Sequence, residues 1–430
     1  MLPVEPGTCW GGGREGGRQA RGGLPGGWAA GNLGGLVAAA AAPGVLLFLL
    51  LPLRLRLLLP RRGGSDLIPP PGARPPACPA RPAPRAEDGL STAPPPGRRR
   101  ETRTGGPGGR SSSRLFLLLL LLLLLCGRRL PRLGGSLPAG GKAVLITGCD
   151  KGFGYAAARH LHAQGFTVFA GCLLGDHGGS PGARELASLE SGRLHVLQLD
   201  VSSEEEVGRA LRRVEETLAE PEQGLWGLVN NAGVASFGDV EFTSMQKYQA
   251  VAAVNLWGTI RVTKAFLPLI RRARGRVVNV ASMLGRMAAP LRSSYCISKY
   301  GVEAFTDCLR QEMYRWGVGV VAIEPSNFIA ATGILTQEGV EAEALEMWRG
   351  ASEEVRVDYG EDYLLRQASQ MKAFVRSGLP DVGLVLNDIT DALTARHPYA
   401  RYNPMEAKWW VRLQAMTHLP TMLADWLYFK

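Results

Sequence analysis

From residue 142 onward the sequence predicts an α/β fold, a Rossmann-type, doubly wound and largely parallel sheet. Three observations predict it. Short apolar runs alternate with amphipathic helical stretches, a glycine turn joins the first strand to the first helix, and polar residues recur at strand ends. The run from Lys142 to Thr147 is apolar and β-branched, as a buried strand should be. Gly148-Cys-Asp-Lys-Gly152-Phe-Gly154 follows, and then an Ala-rich amphipathic stretch to about residue 164. Strand, glycine turn and helix in this order set backbone N–H groups and a helix N-terminus against a pyrophosphate. The spacing, G-x-x-x-G-x-G, differs from the G-x-G-x-x-G dinucleotide fingerprint.

The alternation continues along the chain. Strands are expected at 167–172, 194–200, 225–229, 276–282 and 318–324, and helices at 203–218, 245–272 and 294–315. Ligands of such sheets bind beyond the carboxyl ends of the strands. Gly148, Asn231, Ser282 and Pro325 all fall at or just past such ends, so they can converge on one cleft.

Tyr295 and Lys299 lie four residues apart, and on a helix they share one face. The Lys299 ammonium would favour an ionised Tyr295 phenol, and a phenol with a lowered pKa can act as a general base. Ser282, at a strand end, could hydrogen-bond the same substrate oxygen. Asn255 falls inside the expected helix 245–272, where it could instead satisfy backbone groups at a kink, as Ser282 could cap the segment after it.

These residues resemble a known family, the short-chain dehydrogenases/reductases. The resemblance rests on Thr147-Gly-x-x-x-Gly-x-Gly154, Asn230-Asn-Ala-Gly233, Asn255, Ser282 and Tyr295-x-x-x-Lys299, and it runs from residue 142 to the C-terminus. It implies that Tyr295 exchanges the hydroxyl proton as hydride passes to or from a nicotinamide. Ser282 then holds the substrate oxygen, Lys299 lowers the tyrosine pKa and contacts the nicotinamide ribose, and Asn255 anchors a water that links Lys299 to solvent. The nucleotide is expected along the turn of Thr147, Gly148, Asp150, Lys151, Gly152, Phe153 and Gly154. Beyond the turn it would meet Cys172, Asp200 and Val201, then Asn231, Ala232 and Gly233, and finally Tyr295, Lys299, Pro325 and Phe328. Asp200 would sit by the adenine or cap the helix after it. Pro325-Ser326 stands where the family has Pro-Gly.

The choice of cofactor turns on two positions. Cys172, with Asp176 four residues on, stands where NAD-dependent members carry an acidic residue for the ribose. Lys151 could meet a 2′-phosphate or simply be solvated. No basic residue follows the second strand directly, and longer stretches such as Phe169-Ala-Gly-Cys172 and Ser282-Met-Leu-Gly-Arg-Met287 resemble a mitochondrial, NAD-dependent branch acting on 3-hydroxybutyrate. NAD is therefore expected over NADP. A carboxylate substrate needs a cation, preferably a bidentate arginine. Arg292, three residues before Tyr295, is the candidate, with Ser282 and Tyr295 completing the substrate site and Arg286 the second choice. Membrane-bound retinol and hydroxysteroid dehydrogenases are the alternative branch, and a non-catalytic scaffold on the same fold is a further one.

Composition changes at residue 142. The first 141 residues hold 19 Arg, no Lys and 6 acidic residues, whereas the remainder holds 30 basic and 32 acidic residues. The formal charge of +11 thus belongs to the leader, and nothing marks the enzyme part as a nucleic-acid binder. Gly-, Pro- and Arg-rich runs in the leader cannot build a core and are expected to be disordered. Its apolar runs, 36–53 and 115–126, are respectively near and below the length of a spanning helix. Arg-rich and acid-poor, the leader fits a mitochondrial transit peptide; an endoplasmic-reticulum anchor or an extended translation start are the alternatives. Seven cysteines without a C-x-x-C pair argue for a reducing compartment, with neither a disulfide framework nor a metal site.

The leader, 1–141, is expected to precede a single catalytic domain, made of a nucleotide-binding core, 142–325, and a substrate lid with a helical, lipid-interacting C-terminal segment, 326–430. Trp409, Trp410, Trp426, Tyr428 and Phe429 stand among Lys408, Arg412 and Lys430, a composition suited to a bilayer interface or to packing on the core or a second subunit. The resemblance implies a phosphatidylcholine-activated protein of the mitochondrial inner membrane, facing the matrix. It also implies a homotetramer formed through the helices of Asn255 and Tyr295.

Overall fold

The computed structural model describes residues 135–428, apart from 176–178, 190 and 219–223. Residues 1–134, which hold both apolar runs of the leader, lie outside the described residues, as do Asp176, Phe429 and Lys430. Seven parallel strands form one sheet in the order β3-β2-β1-β4-β5-β6-β7. They are β1 (Ala143–Thr147), β2 (Thr167–Cys172), β3 (Leu194–Gln198), β4 (Gly227–Asn230), β5 (Arg276–Val280), β6 (Gly319–Ile323) and β7 (Arg401–Tyr402). The order reverses between β1 and β4, so the first glycine turn opens beside a gap between connections that leave on opposite faces.

Period-two alternation divides the strand residues between two cores. Val144 and Ile146 of β1 join a cluster with Ala157, Leu161, Leu186 and Leu393; these come from α1 (Gly152–Ala163), α2 (Pro181–Ala187) and α11 (Gly383–Thr394). Leu145 points the other way, to Phe169, Val262 and Phe266. That face is covered by α3 (Glu204–Thr217), α5 (Thr259–Ala273) and the long α6 (Ser293–Met313). Burial on both faces explains why the strands read as continuous apolar runs.

The expected helix over 245–272 is continuous but not α-helical throughout: α4 (Met245–Ala252) runs into α5 through a π-turn, Ala253–Gly258. Gly258 lies in that turn against Val201, where a Cβ would come within 2.6 Å of Cγ2, so close packing on the loop after β3 accompanies the irregularity. The chain beyond 325 packs into the same sheet. After α7 (Ile329–Thr332), α8 (Gln337–Gly350), α9 (Glu353–Tyr359) and α10 (Glu361–Arg376) build the lid, α11 returns to one face of the sheet and β7 extends its edge. The lid has its own apolar centre, in which Phe237 and Phe242 meet Val340, Met347, Leu364 and Met371. Helices α12 (Ala407–His418) and α13 (Thr421–Tyr428) end the described chain, and Leu413 of α12 packs on Met283 and Met287. Among the described residues no helix is long and apolar enough to cross a membrane.

Candidate active site

Thr147 ends β1, and its hydroxyl accepts the Asn231 and Ala232 amides at 3.0 and 2.9 Å. The Asn231 side-chain amide in turn donates to the Thr147 and Gly148 carbonyls at 2.9 and 3.2 Å. These bonds clamp the ends of β1 and β4 together. Gly148 has φ +71°, and a Cβ there would lie 2.8 Å from Cα of Ala232; at Gly154 a Cβ would lie 2.2 Å from the Gly148 carbonyl oxygen. Both glycines are thus required by close backbone approach. No side chain caps the start of α1, so its first N–H groups face the turn without protein acceptors from a cap. An uncapped helix start beside a glycine turn fits the pyrophosphate of a dinucleotide.

A cleft of about 640 Å³ begins there and follows the carboxyl ends of the strands. Its walls include Gly148, Asp150, Lys151, Gly152 and Phe153, then Asp200 and Val201, then Asn231, Ala232 and Gly233. Ser282, Tyr295, Lys299, Pro325 and Phe328 complete it. Phe153 and Phe328 meet edge to face with ring centroids 5.4 Å apart, closing the floor beneath the turn. Asp200 stands in this wall, and its carboxylate also accepts the amide and hydroxyl of Ser202; the cap of α3 is Ser203, not Asp200.

Five expected site residues do not line the cleft. Thr147 and Gly154 act from behind it, as described. Cys172 is wholly buried, its thiol pushed up to about 12 by burial, and Leu173 and Leu174 take its place at the surface. Asn255 is buried in the π-turn, where its amide donates to the Val234 carbonyl and the Ser298 hydroxyl, both at 2.9 Å, and accepts the Val234 amide at 2.8 Å. Its side chain secures the loop after β4 rather than touching Lys299. Arg292 is the fifth, and it is buried rather than solvated.

No sequence pattern marks the contact that Asp150 makes. Its two carboxylate oxygens accept the Leu173 and Leu174 amides, at 2.7 and 3.1 Å, so an acidic group does stand at the end of β2. Lys151 points elsewhere, donating to the Gly333 carbonyl at 2.8 Å. The cleft also meets Ile329, Thr332 and Ile334 of the lid, which no sequence motif marked.

Tyr295 and Lys299 occupy one face of α6, with the ammonium 5.8 Å from the phenol ring centroid. Lys299 is held by the Val280 carbonyl at 2.8 Å. Burial pushes its pKa down to about 8, and the charge of Glu303 opposes that fall. Tyr295 corrects an expectation. Burial raises its phenol above the ordinary value, and the groups that pull it back are the Ser282 hydroxyl, hydrogen-bonded to it, and the Arg292 guanidinium. Within the protein alone the phenol is therefore protonated at neutral pH, poised to donate to a carbonyl. Ser282 caps a short turn, Met283–Gly285, by accepting the Leu284 amide at 3.1 Å. Among the described residues no group of His, Cys, Asp or Glu could hold a metal ion.

A dinucleotide cradle running into a buried serine and lysine with a half-buried tyrosine between them defines a class, the oxidoreductases that move a hydride between an alcohol or ketone and a nicotinamide. The comparisons agree. Residues 142–339 match the short chain dehydrogenase family model. A D-beta-hydroxybutyrate dehydrogenase, mitochondrial, of Rattus norvegicus is 57% identical over 290 residues, 67% of this chain and 84% of that protein. Retinol dehydrogenase 7 of Rattus norvegicus is 42% identical over 286 residues, 66% of this chain and 86% of that protein. A short-chain dehydrogenase structure from Streptomyces avermitilis shares the fold at a TM-score of 0.51 and 21% identity, covering 66% of this chain and 95% of that one. This chain belongs to the short-chain dehydrogenases, an oxidoreductase family that uses NAD or NADP.

Proposed function

We propose that this enzyme interconverts (R)-3-hydroxybutyrate and acetoacetate with NAD, a step of ketone-body metabolism. The observation that carries the reading is Arg292, an arginine buried at the N-terminus of the Tyr295 helix with no carboxylate in ion-pairing distance among the described residues. Its guanidinium donates to the Ser236 carbonyl at 3.4 Å and to the Met371 sulfur at 3.1 Å, and lies 5.5 Å from the Phe374 ring centroid. Glu343, its nearest acidic influence, is already paired with Lys247 at 3.2 Å. A buried cation so weakly partnered favours an anionic ligand. A substrate carboxylate would replace the Met371 thioether, a poor acceptor, with two charged oxygens. The name of the 57% identical relative supports the same substrate.

In the reduction, Ser282 and Tyr295 bind the keto oxygen and Tyr295 gives its proton as negative charge develops there. In the oxidation the same phenol receives the hydroxyl proton. Lys299 holds positive charge beside the phenol, and Asn255 keeps the loop after β4 in register with it. The nicotinamide supplies or accepts the hydride when bound. Two contacts support NAD over NADP. Asp150 sets a negative charge at the end of β2, where ribose hydroxyls are held and a 2′-phosphate would be repelled. Lys151, the basic residue of the turn, is engaged by Gly333.

The name of the 57% identical relative supports a mitochondrial setting, and the proposal places the enzyme on the matrix side of the inner membrane, activated by phosphatidylcholine. Val411, Met422 and Trp426 of α12 and α13 are exposed, with Arg412 stacked between Trp409 and Tyr428, as an interfacial segment requires. Exposed Trp257, Ile297 and Tyr300 on the π-turn and α6 suit a homotetramer built on those helices.

Retinol oxidation is the second reading, favoured by the 42% identical relative. The experiment is a panel: purified protein on phosphatidylcholine vesicles, with (R)-3-hydroxybutyrate, all-trans-retinol and a 3α-hydroxysteroid, each with NAD and NADP. The highest kcat/KM is expected for hydroxybutyrate with NAD. A higher value for retinol or steroid overturns the assignment.

A further inference from the structure

One cluster of buried ionisable groups lies outside the cleft, directly behind Lys299. Glu303 is one turn further along α6, on the same face. Both side chains are buried. The turn after Ser282 is pressed against this stretch, since a Cβ on Gly285 would lie 2.9 Å from the Lys299 carbonyl oxygen and 3.0 Å from Cγ of Glu303. One carboxylate oxygen of Glu303 accepts from Arg401 of β7 at 3.0 Å, while the other, though buried, has no hydrogen-bond partner among the described residues. Buried carboxylate oxygens are rarely left so.

Arg401 gathers further acids. It donates to both oxygens of Asp307, at 2.7 and 3.0 Å, and lies 2.9 Å from Glu324 at the end of β6. Glu324 also accepts from Asn403 at 2.7 Å and from Arg286 at 3.4 Å. Each strap ends on a segment of the cleft. Glu303 leads to Lys299, Arg286 to the Ser282 turn, and Glu324 to Pro325, the next residue in the chain.

We infer that Glu303, fixed by Arg401, is a positioning residue whose negative charge keeps the Lys299 ammonium protonated and seated on the Val280 carbonyl. The inference rests on Lys299 and Tyr295 forming the proton-transfer pair. The charged and titratable groups around Lys299 are Tyr295 and Glu303 on its own helix, with Arg292 at that helix's start. Around Glu303 they are Lys299 and Asp307 on α6, Glu324 on β6, Arg286 on the turn and Arg401 on β7.

Electrostatics agree with the geometry. Burial lowers Lys299 to about 8, and Glu303 is the group that raises it. Burial and the neighbouring Glu324 raise Glu303 to about 7, while Arg401 and Arg286 lower it. Without Arg401, Glu303 would take up a proton at higher pH and its support for Lys299 would be lost. Keto-acid reduction needs protonated Tyr295 and protonated Lys299. With the phenol raised by burial, Lys299 sets the alkaline limit of that reaction.

The test is Glu303→Gln in the full chain, with Glu303→Asp and Arg401→Lys as conservative partners. Two readouts are taken: the pH profile of kcat/KM for reduction, and the titration of the Lys299 amine in nucleotide-free protein by competitive acylation. In Glu303→Gln both midpoints are expected to fall by about one pH unit, with smaller falls in the conservative variants. If Glu303→Gln does not fold, the falls in Glu303→Asp and Arg401→Lys decide. Unmoved midpoints in folded variants of an active wild type overturn the inference. A wild type that turns over no alcohol or ketone with either nucleotide overturns the dehydrogenase reading instead.

Discussion

The cleft begins at a turn made of backbone, whereas the proposed carboxylate site is made of side chains from helices far apart in the chain. Gly148, Gly152 and Gly154 set the first end within seven residues, with the Thr147 hydroxyl and Asn231 amide tying two strand ends beneath them. The proposed carboxylate site needs Arg292 from α6, Met371 and Phe374 from α10, and the Ser236 carbonyl from the loop after β4, none of which lines the cleft itself. Backbone geometry tolerates few residue types, so it leaves a short local pattern. A side-chain pocket can be assembled from many sequences and leaves almost none.

The sharpest contrast comes from removing the one group both ends serve. Tyr295→Phe should lower kcat by about 10²- to 10⁴-fold in either direction, while the affinity for NADH measured by fluorescence titration stays within a factor of three or so of wild type. Comparable losses in binding would assign the phenol a structural role.

A smaller effect is expected from the backbone end. Gly154→Ala brings a Cβ to 2.2 Å from the Gly148 carbonyl oxygen and 2.6 Å from the Asn231 amide nitrogen. Overpacking of that kind costs about 1–3 kcal/mol, and because it distorts the cradle it should weaken dinucleotide binding by roughly ten- to hundredfold. Unchanged binding would show that the turn can give way without cost.

The smallest of the three concerns selectivity. Asp150→Asn keeps one acceptor for the Leu173 and Leu174 amides but removes the charge. The NADP-to-NAD ratio of kcat/KM should rise about tenfold, the size of one screened charge contact. A ratio that does not move would place the discrimination elsewhere.

The same contrast separates what could be read in the sequence from what could not. The sheet, the glycine turn and the pairing of Tyr295 with Lys299 follow from local periodicity and spacing, and all are found where expected. Helical periodicity runs through 245–272 unbroken, so the π-turn at Asn255 left no mark; one extra residue per turn shifts the apolar stripe too little to notice. Cys172 was placed by counting from the end of β2, but strand alternation turns its side chain into the core and leaves Asp150, 22 positions earlier, to reach the same spot. The direction of the Tyr295 shift has no local signal: it comes first from burial, and Lys299 is not among the groups that move the phenol. Arg401 was invisible for a plainer reason: its partners on α6 lie 94 and 98 residues away.

The account stands or falls on carboxylate recognition by Arg292. The decisive measurement is KM for acetoacetate and for its uncharged methyl ester, in wild type and Arg292→Ala. Wild type should favour the acid, and the variant should lose that preference. The loss should appear as a KM for acetoacetate raised by roughly ten- to hundredfold, the value of a charged hydrogen bond, with the ester little changed. Equal changes for acid and ester, or a wild type that prefers the ester, would contradict it.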